Sequence, residues 1–267
     1  MRPLRNHGPA DSWERVREDV ASHGTAVVWA AVEDWLPADP ADPDVAAALG
    51  PDHRRVAGIS LPQLRERFVA SRLFLKSAAG AVLGVSPEDL ELAYKPGGRP
   101  YLRGIDQLDI SLSHTEELLV VGLTRHRRVG VDTEFKDRRM LALGTERQVC
   151  TPYELEALAA IEEEHRNREV VRLWTLKEAY SKAIGQGLRF RFCEFGFTAR
   201  DEQVQLQRPD GSPGTGWEWA FHSWTVADRY TVSAAVHDPG FSGSRMAGPV
   251  AALLPALSAP VQNSRGR

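Results

Sequence analysis

The sequence predicts an α+β fold made of two similar halves, and three observations lead to this prediction. Segments with strand patterns and segments with helix patterns do not alternate in the βαβ order that a parallel sheet needs. Each half of the chain contains one long segment with apolar residues at helical spacing. Each half also contains several short segments with strand character. We therefore expect two pseudo-symmetric halves, each a long helix packed on a small, mostly antiparallel sheet.

This division separates the chain into four stretches. Residues 1–24 are polar and are predicted to be an N-terminal extension, and residues 25–127 and 128–240 are predicted to be the two halves. Residues 241–267 form a tail rich in Ala, Pro, Gly and Ser. Such a tail is typical of disordered termini, and the alternative is that its apolar segment AALLPAL docks on the rest of the protein.

The composition excludes several classes of function. The chain has 267 residues, of which 42% are hydrophobic and 26% are charged, as is ordinary for a soluble globular protein. A net charge of −3 gives no basic signature for nucleic acid. No apolar run approaches the ~20 residues that span a membrane, and the N-terminus lacks the apolar core of a signal peptide. The two cysteines, Cys150 and Cys193, are far apart and favour a reducing compartment, so we expect a cytoplasmic protein.

The N-terminal half is predicted to contain one long helix with strands before and after it. The segments TAVVWAAVEDW and LDISLSH have strand patterns, and a proline-rich loop occupies residues 36–52. Ser60 and Gln63 form a predicted capping box that begins the helix LPQLRERFVASRLFLKSAAGAVLG. This helix carries a basic stripe, which consists of Arg65, Arg67, Arg72 and Lys76.

A hairpin is predicted across the boundary between the halves, in which LLVVGLT and VGVDTEF are joined by the turn RHRR. Thr151 and Glu154 form a second predicted capping box, which begins a helix to about Glu163. The next helix contains RLWTLKEAYSKAIGQG and is expected to end at Gly185 or Gly187. Four strand segments follow, namely FCEFGFTA, EQVQLQ, GWEWAFHSWTV and RYTVSAAVH.

Two segments carry the clearest chemistry. In a strand, Asp132 and Glu134 point to the same face, where they repel each other unless a cation such as Mg²⁺ lies between them. The alternative is a solvated strand face. Glu178 and Lys182 share a helix face, either as a surface ion pair or as part of a site. Lys177 lies on the apolar side of that helix, so it must extend to solvent or meet an anion. If the fold brings helix and strand together, Glu178 supplies a third carboxylate.

Two further segments are weaker indications of phosphate binding. SLSHT places His114 beside small hydroxyl residues at a strand end, and GGRP combines two glycines with Arg99. Each has a simpler interpretation, as a strand-end cap and as a turn. The chain contains neither a Walker A sequence nor a strand followed by G-x-G-x-x-G, so ATP and NAD pockets are unsupported.

The order of these segments resembles a known family. GGRP, ISLSHT, VGVDTEF and LWTLKEAYSKAIGQGL resemble the four ordered motifs of the phosphopantetheinyl transferases of the surfactin-synthetase-activating type. Those motifs are a Gly-Lys-Pro loop, a strand ending in Ser-His-Ser, a Gly-Val/Ile-Asp-x-Glu strand, and a Trp-x-x-Lys-Glu-x-x-x-Lys helix ending in Gly-x-Gly. The resemblance spans about residues 52 to 237, and the last two motifs match at nearly every defining position.

The resemblance implies a fold and a reaction. Two pseudo-symmetric halves would hold coenzyme A in the cleft between them, which places the active site there. The 4′-phosphopantetheine arm of coenzyme A would move to a serine of an acyl or peptidyl carrier protein, converting apo to holo carrier and releasing 3′,5′-ADP. The carriers would belong to polyketide, nonribosomal peptide or fatty acid synthesis, and the enzyme is expected to be a monomer.

The resemblance also implies the roles of particular residues. Asp132, Glu134 and Glu178 would be the ligands of Mg²⁺, with Mn²⁺ as a substitute. Glu178 would instead, or also, accept the serine proton, and Lys182 would stabilise the leaving group, so that catalysis rests on Glu178, Lys182 and Asp132. The expected contacts to coenzyme A are Arg67, Arg99, Ser113, His114 (to the 3′-phosphate), Lys177 and Lys182, with Arg54 and Arg55 as further candidates.

Departures from the family pattern leave other functions open. Arg99 stands where the family has lysine, and Ser111 where it usually has asparagine. One alternative is a Mg²⁺-dependent hydrolase of the coenzyme A diphosphate, and another is a non-catalytic module that binds coenzyme A or a carrier protein. Because carrier proteins are typically acidic around the modified serine, the basic stripe or the turn 125–128 is a candidate docking surface.

Overall fold

A computed structural model describes residues 1–39, 42–126, 128–187, 190–198, 204–214 and 218–237. Its α-helices are α1 Glu14–His23, α2 Pro43–Leu49, α3 His53–Val56, α4 Pro62–Leu83, α5 Glu146–Val149, α6 Pro152–Ala159 and α7 Glu163–Ile184. Its strands are β1 Leu4–Arg5, β2 Thr25–Ala31, β3 Leu92–Tyr94, β4 Pro100–Leu102, β5 Asp109–Thr115, β6 Leu118–Thr124, β7 Arg128–Phe135, β8 Gly196–Phe197, β9 Leu206–Gln207, β10 Trp219–Val226 and β11 Tyr230–His237.

The two main sheets have the same order of elements. In the N-terminal half, β2 is followed by α4 and by the β5–β6 hairpin, and the sheet order is β1-β2-β6-β5. In the C-terminal half, β7 is followed by α7 and by the β10–β11 hairpin, and the sheet order is β10-β11-β7. The β2-β6-β5 and β7-β11-β10 pairings are all antiparallel. The predicted fold class, long helices on small antiparallel sheets, is therefore confirmed.

The two long helices are equal in length and end alike. Each has 22 residues, and each is followed by a glycine in the left-handed region, Gly84 at φ 73° and Gly185 at φ 75°. A residue without Cβ adopts this conformation with little strain, so these glycines close the helices. The capping box of Thr151 and Glu154 is confirmed by both of its hydrogen bonds. The one at Ser60 is wrong, because α4 begins one residue later, after Leu61, without a side-chain cap.

Three apolar clusters hold the halves and join them. One lies between α4 and the first sheet around Trp35 and Phe74, and a second lies between α7 and the second sheet around Leu176 and Phe197. The third contains Val120 of β6 and Val131 of β7. Because it draws on strands of both sheets, burial of this third cluster stabilises the union of the halves.

The two sheets meet along β5 and β7 without a main-chain ladder. Side chains at alternating positions of β5 bond to β7 instead. These bonds join Asp109 Oδ2 to Val129 N (2.9 Å), Ser111 Oγ to Val131 N (3.0 Å), Ser113 Oγ to Asp132 Oδ1 (2.9 Å) and Thr115 Oγ1 to Thr133 O (2.8 Å). We call this row of four bonds the seam. It satisfies backbone groups that an open sheet edge leaves unpaired.

The predicted hairpin of LLVVGLT and VGVDTEF is wrong. β6 pairs with β2 and β5, whereas β7 pairs with β11, so the chain changes sheets between them. The physical reason is that β7 buries both faces, one against α7 and one against the third cluster, and apolar strand patterns alone do not specify the partner.

Other differences concern element ends. Residues 1–24, expected as an extension, contain β1, which pairs with β2, and α1, whose Val16 and Val20 join the first core. The helix α6 ends at Ala159, earlier than expected. The predicted tail, 241–267, lies outside the described residues. Within the described part of the chain, no helix has the length and apolar character to cross a membrane.

Candidate active site

The site begins with a close approach of α7 to β7. A Cβ on Gly130 would lie 1.9 Å from the carbonyl oxygen of Ala179, so only glycine permits this separation. Strand alternation puts Asp132 and Glu134 on the face of β7 that carries Gly130. Glu178 of α7 adjoins Ala179 in sequence, so its carboxylate reaches the same region. The three carboxylate residues are buried to a similar extent, with 7–8% of their surface exposed.

Lys182 is the cation of this region. Its Nζ donates to Asp132 Oδ1 at 2.6 Å, to Ser113 Oγ at 2.9 Å and to the carbonyl of Val131 at 3.1 Å. Ser113 in turn donates to the same oxygen of Asp132. The side chains of β5, β7 and α7 therefore converge at the seam. Lys182 forms its ion pair with Asp132, so the interpretation of a surface pair between Glu178 and Lys182 is wrong.

Glu178 is the carboxylate without a side-chain hydrogen bond to any described residue. Burial, and then the negative charge of Asp132, raise its pKa to about 7, and the charge of Lys182 offsets only part of this rise. A buried carboxyl group with a pKa near neutrality exchanges a proton readily at physiological pH, which suits a general base.

Glu134 is held by the segment that follows its own strand. One carboxylate oxygen accepts from the amide of Phe135 at 2.8 Å, and the other pairs with Arg138. Arg138 is half exposed, with 52% of its side chain accessible. An ion pair with so exposed a partner is weak, so a competing cation can replace Arg138 with little loss.

These carboxylates fit a hard divalent cation. The donor set consists of oxygens only, and Asp132 and Glu134 already hold cationic side chains. Glu178 has no such partner among the described residues, and a nearby positive charge would stabilise its ionised form. In the present arrangement the three carboxylates are not gathered within 4.8 Å of one another. Among the described residues, one set of side chains is gathered that closely, and it consists of the exposed Glu162, Glu164 and His165. This set lies roughly 24 Å from Glu178 along α7.

His114 lies at the exposed end of the site, in a positive environment. Burial of the ring, and then the positive charges of Arg67, Arg72 and Lys182, lower the pKa of His114 to about 4. Burial is the largest of these causes, although part of the side chain remains in contact with solvent. Arg67 is partly exposed and makes one long bond, 3.5 Å, to the carbonyl of Glu116. Lys182 is paired with Asp132 and Arg72 with Asp52, so Arg67 is the one of the three without a carboxylate partner among the described residues and the one best placed to attract a phosphate.

Arg99 uses its donors inside the protein, so its predicted contact with coenzyme A has no support in these contacts and stays a prediction. The guanidinium donates to the carbonyls of Lys182 and Ala183, at the end of α7, and to Val129 of β7. It also pairs with Asp109 of β5. Only 12% of its side chain is exposed. The five donors of a guanidinium can serve several acceptors at once, which explains why it bridges three elements here.

The expectation that Lys177 contacts coenzyme A needs correction, because the residue is enclosed in the protein and does not lie along the cleft. The residue is fully buried, and its Nζ donates to Glu154 Oε2 at 2.6 Å. It also lies 2.7–2.8 Å from the carbonyl oxygens of Val149, Phe192 and Phe195. Four acceptors surround three N–H donors, so no donor is left for a ligand.

The remaining predicted residues lie around the N-terminal helices. Arg55 packs on Tyr94, with 4.5 Å from its guanidinium carbon to the ring centroid, and pairs with Asp52. Arg54 is exposed on α3. The basic stripe is not one surface, because Lys76 is only 1% exposed. Arg127, part of the other candidate docking turn, lies outside the described residues.

Three residues near the site escape prediction from the sequence. Asp109 is visible only as the first of four polar residues at alternating positions of LDISLSHT, a pattern that marks one strand face. Arg138 stands four residues after Glu134 in an irregular segment, where spacing indicates nothing. Glu154 was predicted only as part of a capping box. Its ion pair with Lys177, 23 residues away, was not predicted.

The chain is similar to proteins of one family. The model of the 4′-phosphopantetheinyl transferase superfamily matches residues 128–235. The chain is 33% identical over 153 residues to the 4′-phosphopantetheinyl transferase HetI of a Nostoc species, covering 54% of this chain and 63% of HetI. It is 29% identical over 228 residues to a phosphopantetheinyl transferase of a Thraustochytrium species, covering 79% of this chain and 78% of that protein.

A third relative is a 4′-phosphopantetheinyl transferase of Bacillus subtilis, 22% identical over 146 residues, with 54% of this chain and 64% of that protein covered. The matches to HetI and to the Bacillus subtilis protein thus span less than two thirds of the relatives' lengths. The surfactin-synthetase-activating type is not distinguished from other members by these matches. The part of the chain that matches the family model contains Asp132, Glu134, Glu178 and Lys182, and the comparisons support the 4′-phosphopantetheinyl transferase superfamily for this chain.

Proposed function

We propose that this protein transfers the 4′-phosphopantetheine arm of coenzyme A to a serine of an acyl or peptidyl carrier protein, with Mg²⁺, and releases 3′,5′-ADP. One observation supports this most. Glu178, Asp132 and Lys182 meet where both halves join, so that buried carboxylates lie beside a lysine that belongs to the same cluster. This is the combination that phosphoryl transfer from a diphosphate requires.

In the proposed reaction, the serine oxygen forms a bond to the phosphorus that carries the pantetheine arm. The bond from that phosphorus to the oxygen of 3′,5′-ADP breaks, and the serine proton passes to Glu178. Asp132, Glu134 and Glu178 would hold Mg²⁺, which supplies charge neutralisation for the diphosphate when it is bound. Glu178 serves as ligand, as base or as both.

The side chains around this centre have separate tasks. Lys182, which now contacts Asp132, would contact the diphosphate when Asp132 serves as a metal ligand. His114 and Arg67 would bind the phosphates of coenzyme A, and Ser113 would follow Lys182 toward the ligand. Arg54 and Arg55 remain candidates for the same task.

The test is intact-protein mass spectrometry of an unmodified carrier protein incubated with this protein, coenzyme A and Mg²⁺, with EDTA as the control. The expected result is a mass gain of one phosphopantetheine unit that is absent with EDTA. Consumption of coenzyme A without a gain would instead establish the hydrolase. Binding of coenzyme A without consumption, across several carriers, would favour the binding module and contradict the transferase.

Substitution of Glu178 assigns the step to this site. Glu178→Ala should lower the transfer rate at least ~10³-fold, because both a metal ligand and a base are lost, while the affinity for coenzyme A stays within about threefold. The matched control is Glu164→Ala, which removes an exposed carboxylate from the first turn of the same helix. Full activity of Glu178→Ala in the mass assay would refute the site assignment.

A further inference from the structure

Two buried lysines occupy equivalent places in the two halves. Lys76 and Lys177 are each the fifteenth residue of a 22-residue helix, α4 and α7. Each donates to a carbonyl oxygen 28 residues earlier in the chain, Lys76 to Ala48 and Lys177 to Val149. They are 1% and 0% exposed. The halves therefore use the same device to tie a long helix to the segment that precedes it.

Lys177, the lysine of the C-terminal half, makes more hydrogen bonds than Lys76. Besides Val149, Lys177 binds the carbonyls of Phe192 and Phe195, and its Nζ lies 5.2 Å from the ring centroid of Phe195. These contacts join α7 to segments that come before and after it in the chain.

Its partner Glu154 completes the connection. Besides the ammonium, its carboxylate accepts from the amides of Thr151 and Phe197, both at 2.8 Å. Lys177 and Glu154 both have fully buried side chains, so neither charge is screened by water. The pair thus fixes the segments 149–154 and 192–197 against one point of α7.

That point is one residue before Glu178. Successive residues of a helix differ by about 100° around its axis, so fixing the direction of Lys177 fixes the direction of Glu178. Glu178 has no hydrogen bond from its own side chain to a described residue, although it is only 8% exposed, so its direction depends on the helix that carries it. The close contact of Gly130 with Ala179 sets the height of α7 over β7, and the contacts of Lys177 add to those that fix the rotation of the helix about its axis.

We propose that the buried pair of Lys177 and Glu154 positions Glu178 for transfer, so that Lys177 is a positioning residue rather than a contact to coenzyme A. The proposal rests on the proposed function for its kinetic consequence. The structural part of the proposal, that Lys177 and Glu154 orient the Glu178 carboxylate toward a metal ion, does not depend on the proposed function.

The first experiment compares Lys177→Met with Lys76→Met. Each substitution removes a buried ammonium at the same position of an equivalent helix, so both should lower Tm, by roughly 5–10 °C for Lys177→Met. Only Lys177→Met should lower kcat, by ~10–100-fold, with KM for coenzyme A within about threefold. The neighbour of Lys76 is Ser77, which is not a site residue. Equal kcat in the two variants would overturn the proposal.

A second variant separates positioning from stability. Lys177→Met combined with Glu154→Gln removes both charges, so the unpaired buried carboxylate of the single variant disappears and more than half of the lost Tm should return. The helix direction is not restored, so kcat should stay low. Recovery of kcat together with Tm would mean that the pair contributes stability alone. If Lys177→Met does not fold, Glu154→Gln alone serves, with the same expected loss of kcat at unchanged KM.

A binding measurement keeps this inference apart from the proposed function. Mn²⁺ affinity, measured by electron paramagnetic resonance in the presence of coenzyme A, should weaken ~10-fold in Lys177→Met and stay unchanged in Lys76→Met. If the wild-type protein transfers nothing to carrier proteins, the proposed function fails, and the Mn²⁺ series still decides whether the pair orients Glu178. Equal Mn²⁺ affinity in wild type and Lys177→Met would overturn the positioning role.

Discussion

The states of Lys182 and His114 are linked by charge. Lys182 neutralises Asp132, and its charge is among those that lower the pKa of His114. A phosphate between them would change both, because it offers Lys182 a second partner and gives the imidazolium a negative neighbour. The charges of the site are therefore arranged to respond to an anion.

The pKa of His114 gives a direct measurement of this state. We expect NMR of the protein alone to show a midpoint near 4, so the ring is neutral at pH 6. Addition of coenzyme A should raise the midpoint, since a phosphate stabilises the charged ring. The variant His114→Asn identifies the resonance. A midpoint near 6.5 without ligand, or no change with coenzyme A, would contradict the positive environment or the phosphate contact.

At the scale of elements, the contact of α7 with β7 decides whether the site exists. Asp132 and Glu134 are useful only while the helix that carries Glu178 and Lys182 lies close above them. Gly130 makes this possible, because its missing Cβ leaves room for the main chain of α7. Glycine is therefore required at position 130 because of this packing, since its φ angle is not in the left-handed region.

We expect Gly130→Ala to be strongly destabilising. The added Cβ would lie 1.9 Å from a backbone oxygen, so the whole helix must move, and the free energy of unfolding should fall by about 3 kcal/mol or more. Urea denaturation measures this. Gly97→Ala, in the loop before β4, is the control, since a Cβ at that position would have no other atom within 4 Å. Equal stability of the two variants would show that α7 lies farther from β7 than this contact implies.

At the scale of the whole molecule, the seam and Arg99 join the halves. Four side-chain bonds from β5 replace the ladder that two neighbouring strands would otherwise form. Arg99 adds contacts to both strands and to the last turn of α7. Because Ser113 and Lys182 belong to this joint, the site forms only when the two halves are packed together.

Arg99→Lys tests the joint. Lysine keeps the charge, but its single ammonium cannot reach the carbonyls of α7, Val129 and Asp109 together. We expect the free energy of unfolding to fall by about 2–3 kcal/mol. Arg103→Lys, at an arginine with 64% of its side chain exposed, should change it by less than about 0.5 kcal/mol. If Arg99→Lys is as stable as wild type and weakens coenzyme A binding instead, Arg99 contacts the ligand and the structural role is refuted.

Much of this arrangement was predictable from local pattern. Helical spacing, the glycine after α7 and the capping box at Thr151 predicted α7 and α6 near their observed positions. Strand alternation predicted that Asp132 and Glu134 share a face. These features depend on residues within a few positions of one another, and such short-range geometry follows from the periods of helix and strand.

The sequence by itself determined the order of the two long helices and the main strands, the chemical types at the site and, through its motifs, the resemblance to a transferase family. Only the tertiary structure decided which partners the charged groups have. It directed Lys177 to Glu154, 23 residues away, and Arg99 to the end of α7, 83 residues away. It also placed β6 and β7 in different sheets. Periodicity indicates which side of an element is buried, but what lies opposite that side depends on packing between distant segments.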